Sequence, residues 1–215
     1  MVESGPVPDS EFWNRIPETC RASLQKVARR LTFEAGETVF LQGDSFRGPY
    51  VIDKGIFKVY QLNEAGKEAI LNFFFPGSII AALPMLKIMP VYPASCEAVR
   101  DGAVIYLPVD DCVSLMQEAP ELKQCFQEDF VSNAEFFKNK TTLLMLHTTE
   151  ERVLFFLEAL GADEREVYLN IPKNQIALYL GVSAEAFSRA FTALKKQGRV
   201  TESDGYVRLI AESDS

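Results

Sequence analysis

Residues 121–146, ELKQCFQEDFVSNAEFFKNKTTLLML, contain neither proline nor glycine. Leu122, Phe126, Phe130, Phe137 and Leu144 return to one side of the run at helical spacing. A continuous helix of this length is about 39 Å long, more than a small domain can cover. Two readings follow. The helix associates with a second copy of itself through those five residues, or it lies across the core of its own domain.

The texture on either side differs. Residues 17–31, PETCRASLQKVARRL, have helix-period apolar spacing with Thr19 as a candidate cap. Residues 32–109 alternate short β-branched and aromatic runs (TVFLQ, YVID, IFKVYQL, AILNFFF, SIIAA, AVIYLPV) with Gly-, Asn- and Pro-bearing turns. Such punctuation predicts an antiparallel sandwich or roll. Residues 110–120 read as a short helix closed by Pro120. Residues 148–161 read as a helix with Thr148 or Thr149 as its cap and Gly161 as its stop. EVYLNIP reads as a strand, and GRVTESDGYVRLI as a hairpin turning at Asp204-Gly205. The fold class is therefore α+β.

Bulk properties narrow the function. Hydrophobic residues make up 47% and charged residues 24% of the 215, as in ordinary globular chains. No apolar run reaches the roughly 18 residues of a membrane span, and MVESGPVPDS lacks a signal-peptide pattern. A cytoplasmic location without membrane attachment is expected. Cys20, Cys96, Cys112 and Cys125 stand at unrelated spacings, so buried reduced thiols are expected and no metal site is signalled. With one histidine, no nucleophile elbow and no phosphate-cradling loop, no catalytic constellation is visible and the chain is not read as an enzyme. The net charge is −8, yet residues 172–210 carry Lys173, Arg189, Lys195, Lys196, Arg199 and Arg208 against only Glu185, Glu202 and Asp204. A polyanion is tolerated at that end and repelled elsewhere.

The basic end also has the spacing of a helix-turn-helix. Pro172 suits a first helical turn, where no N–H donor is needed. Ala177 is small enough for a second helix to cross closely, and Gly181 can leave the first helix with positive φ. Ser183 can cap the second helix. Ile176, Leu180, Val182, Phe187, Ala190 and Leu194 supply an inner face. Glu185, Ser188 and Arg189 then share the outer face, where Arg can grip guanine O6/N7 and Glu can accept from a cytosine amino group. Lys173, Ser183, Lys195, Lys196 and Arg199 are candidate phosphate contacts, which position a protein on DNA without reading sequence. One such patch is modest. Two copies would double it and address a palindrome with half-sites about 34 Å apart.

In order and spacing, FEAGETVFLQGD, VIDKGIFKVYQLNEAGKEAIL, FFPGSII, TTEERVLFFL and GVSAEAFSRAFTALKKQGRV resemble motifs of the CRP/FNR superfamily of bacterial transcription regulators over nearly the whole chain. The resemblance implies a cyclic-nucleotide-binding-like β-roll (jelly roll) over 1–119, a long dimerisation helix over 120–147 and a winged helix-turn-helix over 148–215. It places Glu185, Ser188 and Arg189 at the E-x-x-S-R positions that read TTGA-type half-sites in FNR-like members. Ala184 replaces the arginine that cyclic-AMP-responsive members carry before the Glu. The implied partners are double-stranded promoter DNA, a second copy of the chain and RNA polymerase.

The effector region departs from the family pattern. Cyclic-nucleotide binders pair a G-E-L turn with an Arg-Ser. Here Ala81, Ala82 and Leu83 stand around the acid and Pro93-Ala94 around the Arg-Ser, within GSIIAALPMLKIMPVYPASCEA. A phosphate left without its cation in an apolar pocket costs several kcal/mol, which speaks against cyclic AMP or GMP. An FNR-type iron–sulfur cluster needs three clustered N-terminal cysteines, and only Cys20 is present. Ile79, Ile80, Leu83, Met85 and Ser95 form the candidate effector pocket. Its apolar lining is the one feature that suits haem, and plain roll core with a surface flap is the simpler reading. The single histidine, His147, reads as a hinge residue. Two functions are thus carried forward. One is a regulator gated by an effector or redox signal. The other is a sensor or interaction protein whose helix-turn-helix binds a protein partner.

Overall fold

The computed structural model describes residues 11–87 and 89–210, and it separates into two compact units, Met1–Phe136 and Phe137–Ser215. The boundary falls inside the long helix.

The first unit starts with α1 (Glu11–Arg15) and α2 (Glu18–Val27), followed by β1 (Arg29–Phe33) and β2 (Thr38–Phe40). Next come β3 (Tyr50–Leu62), β4 (Glu68–Phe74), β5 (Ile79–Ile80), α3 (Ala82–Lys87), β6 (Ser95–Tyr106) and α4 (Val109–Glu118). The six strands form one antiparallel sheet in the order β1-β6-β3-β4, with β2 on β6 and β5 on β3. β3 and β6 pair along most of their length and change partners at their ends, so the sheet rolls up. Where they bend past each other, Gly55 (φ +90°) and Gly102 lie back to back. A Cβ on Gly55 would come within 2.7 Å of the Asp101 carbonyl oxygen, so no larger residue fits.

Alternation along the strands sorts side chains into two cores. Ile52, Ile80 and Val104 point into a cluster with Phe40, Phe57 and Tyr92, in which Phe40 and Tyr92 stack at 4.0 Å. Their neighbours Val51, Ile79 and Ile105 point the other way, toward Phe12, Leu24, Cys112, Leu122 and Phe126. All four cysteines are buried free thiols. Burial pushes the Cys112 thiol up to about 12 and raises those of Cys96 and Cys125. Burial thus favours the protonated thiol at Cys96, Cys112 and Cys125.

Several local expectations are corrected. The helix expected over 17–31 stops at Val27, because Arg29–Phe33 pairs as β1 with Gly102–Tyr106 of β6. Its cap position is Pro17, and Thr19 lies within the helix. The run SIIAA keeps only two strand residues before α3 begins. Pro120 opens the long helix α5 (Pro120–Leu146), where its missing N–H costs nothing, and α4 has already ended before it.

The second unit holds the end of α5, then α6 (Thr149–Ala159), β7 (Val167–Tyr168), α7 (Lys173–Tyr179), α8 (Ala184–Lys196), β8 (Val200–Ser203) and β9 (Tyr206–Leu209). α6 opens on a capping box: the Thr148 hydroxyl accepts from the Glu151 N–H, and the Glu151 carboxylate accepts from the Thr148 N–H at 2.7 Å. Gly161, at φ +79°, ends it. The strands form a small antiparallel sheet in the order β7-β9-β8. The β8–β9 turn has positive φ at both Asp204 (50°) and Gly205 (82°), the geometry its Asp-Gly pair favours. Val153, Leu157, Ile176, Phe187, Leu194 and Val207 close the core between helices and wing.

Candidate nucleic-acid interface

The elbow between α7 and α8 follows from single-residue requirements. Pro172 stands at the N-cap position of α7, just before rather than within its first turn and without a side-chain cap, and Leu180 ends the helix with helical backbone. Gly181 then takes φ +67°, where the Leu144 side chain would sit 3.4 Å from any added Cβ. The Ser183 hydroxyl accepts from the Ala186 N–H at 3.1 Å and starts α8. Ala177 is 1% exposed, as close crossing of two helices demands. Phe187, Ala190, Phe191 and Leu194 turn inward, while Val182 is only half-buried.

With that face spent, Glu185, Ser188 and Arg189 stand exposed together on the first two turns of α8. The Glu185 carboxylate is held below its ordinary range by its own backbone N–H, by Ser183 and, more weakly, by Arg189. It stays ionised at neutral pH and remains an acceptor. Among the described residues, Arg189 has no ion-pair partner within 4 Å, which leaves its fork of donors outward.

The candidate phosphate-contact residues are not equivalent. Lys173 at the start of α7 and Lys195 at the end of α8 are both tied to Glu202 of β8, at 2.7 and 2.8 Å. Lys196 is exposed, Arg199 is half-buried, and Ser183 is exposed at its cap. Glu202 is the residue that sequence reasoning missed. In the sequence it is only one acid in a charge balance, because its two lysines lie on other elements, α7 and α8.

Where α5 meets α6, Arg152 of α6 donates to three carbonyls: Leu144 at 2.6 Å, His147 at 2.9 Å and Leu180 at 3.2 Å. His147 stands 3.6 Å from the Glu151 carboxylate, with Phe155 edge-on to its ring at 5.1 Å. Lys140 lies over the Tyr179 ring at 3.6 Å.

The five residues expected on an association face divide. Leu122 and Phe126 are fully buried within the first unit, Phe126 against Phe12 at 5.5 Å, because the start of α5 covers the roll. Phe130 and Phe137 are 39% and 43% exposed. Leu144 is half-buried against the Gly181 elbow.

The five candidate pocket residues are likewise dispersed. Ile79 and Met85 belong to the cluster under α2, α4 and α5, whereas Ile80 belongs to the cluster inside the roll. Leu83 is half-buried, and the buried Ser95 hydroxyl accepts from the Gln42 N–H. Of the residues expected around the acid's place, Ala82 is buried, Ala81 takes φ +62° and Leu83 is half-buried. Of the five, Ile79 alone borders a cleft of about 610 Å³ in the first unit. That cleft is mixed, with Arg15, Asp53 and Asp129 beside Phe12, Phe74 and Phe136 in its walls. Burial pushes the Asp129 carboxyl up to about 6, against the pull of Arg15 and of a 2.9 Å bond from Asn133.

Among the described residues, no group of three or more His, Cys, Asp or Glu side chains is placed to hold a metal, and no helix is long and apolar enough to cross a membrane.

Comparison with known proteins places this geometry. Residues 30–119 match the family model of the cyclic nucleotide-binding domain, and residues 143–212 match that of the Crp-like helix-turn-helix domain. The transcriptional activator protein anr of Pseudomonas aeruginosa is 26% identical over 196 residues, covering 87% of this chain and 80% of its own. The nitrogen fixation regulation protein FixK of Bradyrhizobium diazoefficiens gives the same identity and coverage. Among solved structures, FixK2 from Bradyrhizobium japonicum superposes with a TM-score of 0.79 at 21% identity, covering 86% of this chain and 93% of its own. A putative cAMP-binding regulatory protein from Silicibacter pomeroyi superposes with a TM-score of 0.65 at 29% identity, covering 94% and 91%. A rolled antiparallel sheet of the first kind, a long helix and a Crp-like helix-turn-helix domain follow one another here in a single chain, so the chain belongs to the CRP/FNR superfamily of bacterial transcription regulators.

Proposed function

We propose that this transcription regulator works as a homodimer on a palindromic TTGA-type site. Glu185, Ser188 and Arg189 read base edges in the major groove. Lys173, Ser183, Lys195, Lys196 and Arg199 seat the protein on phosphates. Residues 120–147 join the two copies, with Phe130 and Phe137 in the seam, and thereby set the half-site separation. Residues 1–119 sense an effector or redox signal, and residues 148–215 form the reading head. The signal favours one arrangement of the long helices over another, so it acts as a population shift. RNA polymerase is the expected partner at the promoter, in the cytoplasm.

The observation that carries this reading is the exposed trio on α8. Its three side chains stand outward on a helix whose opposite face is fully spent on packing. The test is an anisotropy titration of the whole chain and of Arg189→Ala on a palindromic TTGA duplex and on a copy with its guanines replaced. A bidentate Arg–guanine contact is worth about 1–3 kcal/mol of discrimination. Arg189→Ala therefore binds the palindrome about ten-fold or more weaker and loses preference at that base. Unchanged affinity and preference reject the assignment. If the helix-turn-helix instead binds a protein partner, the chain binds no duplex at any salt concentration.

A further inference from the structure

We propose that Glu202 is the residue that sets this regulator's affinity for the DNA backbone: seated beneath Lys173 and Lys195, it offsets one of the two positive charges that would otherwise face the phosphates. The inference rests on the reading of Lys173 and Lys195 as phosphate contacts, and it names what controls them.

Three elements converge at this point. Lys173 is the first residue of α7, Lys195 lies in the last turn of α8, and Glu202 comes from the wing strand β8. Each carboxylate oxygen takes one lysine: Oε1 accepts from Lys173 at 2.7 Å and Oε2 from Lys195 at 2.8 Å. The Glu202 side chain is 20% exposed beneath lysines that are 51% and 39% exposed, so the acid lies under the two cations and both ammonium groups keep donors toward solvent.

The acid is not what places the lysines. Both ammonium groups also stand over the Phe191 ring, 4.8 and 5.6 Å from its centre, and Phe191 is itself buried. An aromatic floor that attracts cations holds the pair near each other in either case. What Glu202 changes is charge: two cations and one anion present a single net positive charge where two would otherwise face the phosphates. Its neighbours keep it ionised, Lys173 first and Lys195 next holding its carboxyl below the ordinary range.

Backbone affinity follows the number of phosphates neutralised, and each contributes about 0.9 to the slope of log K against log salt. Glu202 therefore withholds about one contact per subunit, and it does so on every sequence alike. A regulator trimmed in this way spends less time on random DNA at a given salt concentration.

The experiment measures anisotropy titrations of the whole chain, Glu202→Gln and Glu202→Asp across a salt series. Each is run on a palindromic TTGA duplex and on a random duplex of equal length, with thermal melts to confirm folding. Glu202→Gln should bind both duplexes about ten-fold tighter per subunit near 0.1 M salt, with a slope steeper by about one per subunit and an unchanged ratio between duplexes. Glu202→Asp, which keeps the charge, should stay near the parent. Equal or weaker binding by Glu202→Gln, a gain confined to the palindrome, or an equal gain from Glu202→Asp overturns the inference. If the parent binds neither duplex, the reading of the lysines as phosphate contacts fails and takes this inference with it. If the parent binds and Glu202→Gln does not tighten, this inference alone falls.

Discussion

Replacing Arg152 tests how the end of the long helix is fastened to the reading head. Its guanidinium donates to the carbonyls of Leu144, His147 and Leu180 at 2.6, 2.9 and 3.2 Å. These carbonyls lie at the C-terminal ends of α5 and α7, where helix carbonyls have no partner of their own and the helix dipole favours a cation. A hydrogen bond to a charged group contributes about 1.5–3 kcal/mol. The group is half-buried, so water partly replaces what is lost, and the two short bonds dominate. Arg152→Ala should therefore cost about 2–4 kcal/mol. Lysine keeps the charge but not the planar fork, so Arg152→Lys should recover less than half. Urea unfolding followed by far-ultraviolet circular dichroism measures both. A loss below about 0.5 kcal/mol for alanine, the level of an ordinary surface change, would refute the reasoning, as would full recovery by lysine.

Other perturbations probe the rest of the molecule. Phe126→Ala removes a fully buried ring packed on Phe12 and should cost about 3–5 kcal/mol in chemical unfolding. Burial raises the Asp129 carboxyl to about 6 from 3.8, so its contribution to stability is full below pH 4 and lost as pH rises through 6. Asp129→Asn should therefore flatten the thermal-melt profile between pH 4 and 6 and raise the melting temperature above pH 6. Burial lowers Lys140 to about 7, so the unfolded chain binds the extra proton between pH 7 and 10.5 and stability rises with pH across that window. Lys140→Met should remove that rise, read by melts from pH 6 to 10.

The parts of the fold that were legible in the sequence are those in which one residue meets a local backbone demand. Gly181 at positive φ, Ser183 as a cap, small Ala177 at the crossing and Asp204-Gly205 in the wing turn each impose their geometry within a few residues. The outward trio on α8 followed because helical period alone separates it from Phe187, Ala190 and Leu194. Features that depend on distant partners were not legible. Arg29–Phe33 has helical spacing, yet it becomes a strand because Gly102–Tyr106, some seventy positions away, offers a ladder. Period alone could not say which stretch of α5 covers the roll, so Leu122 and Phe126 looked like Phe130 and Phe137. Ile79 and Ile80 looked like one apolar lining, but adjacent strand residues point to opposite faces, and each feeds a different core. Glu202 meets its lysines only when wing and helices are folded together.

The most direct test of the central claim, that paired α8 faces read consecutive major grooves, is methylation interference on a palindromic TTGA duplex bound by the whole chain. Methyl groups at guanine N7 in both half-sites, centred about one helical turn apart, should block binding, and the interference should weaken in Arg189→Ala. Interference at one half-site only, at positions unrelated to a helical turn, or nowhere would contradict the account.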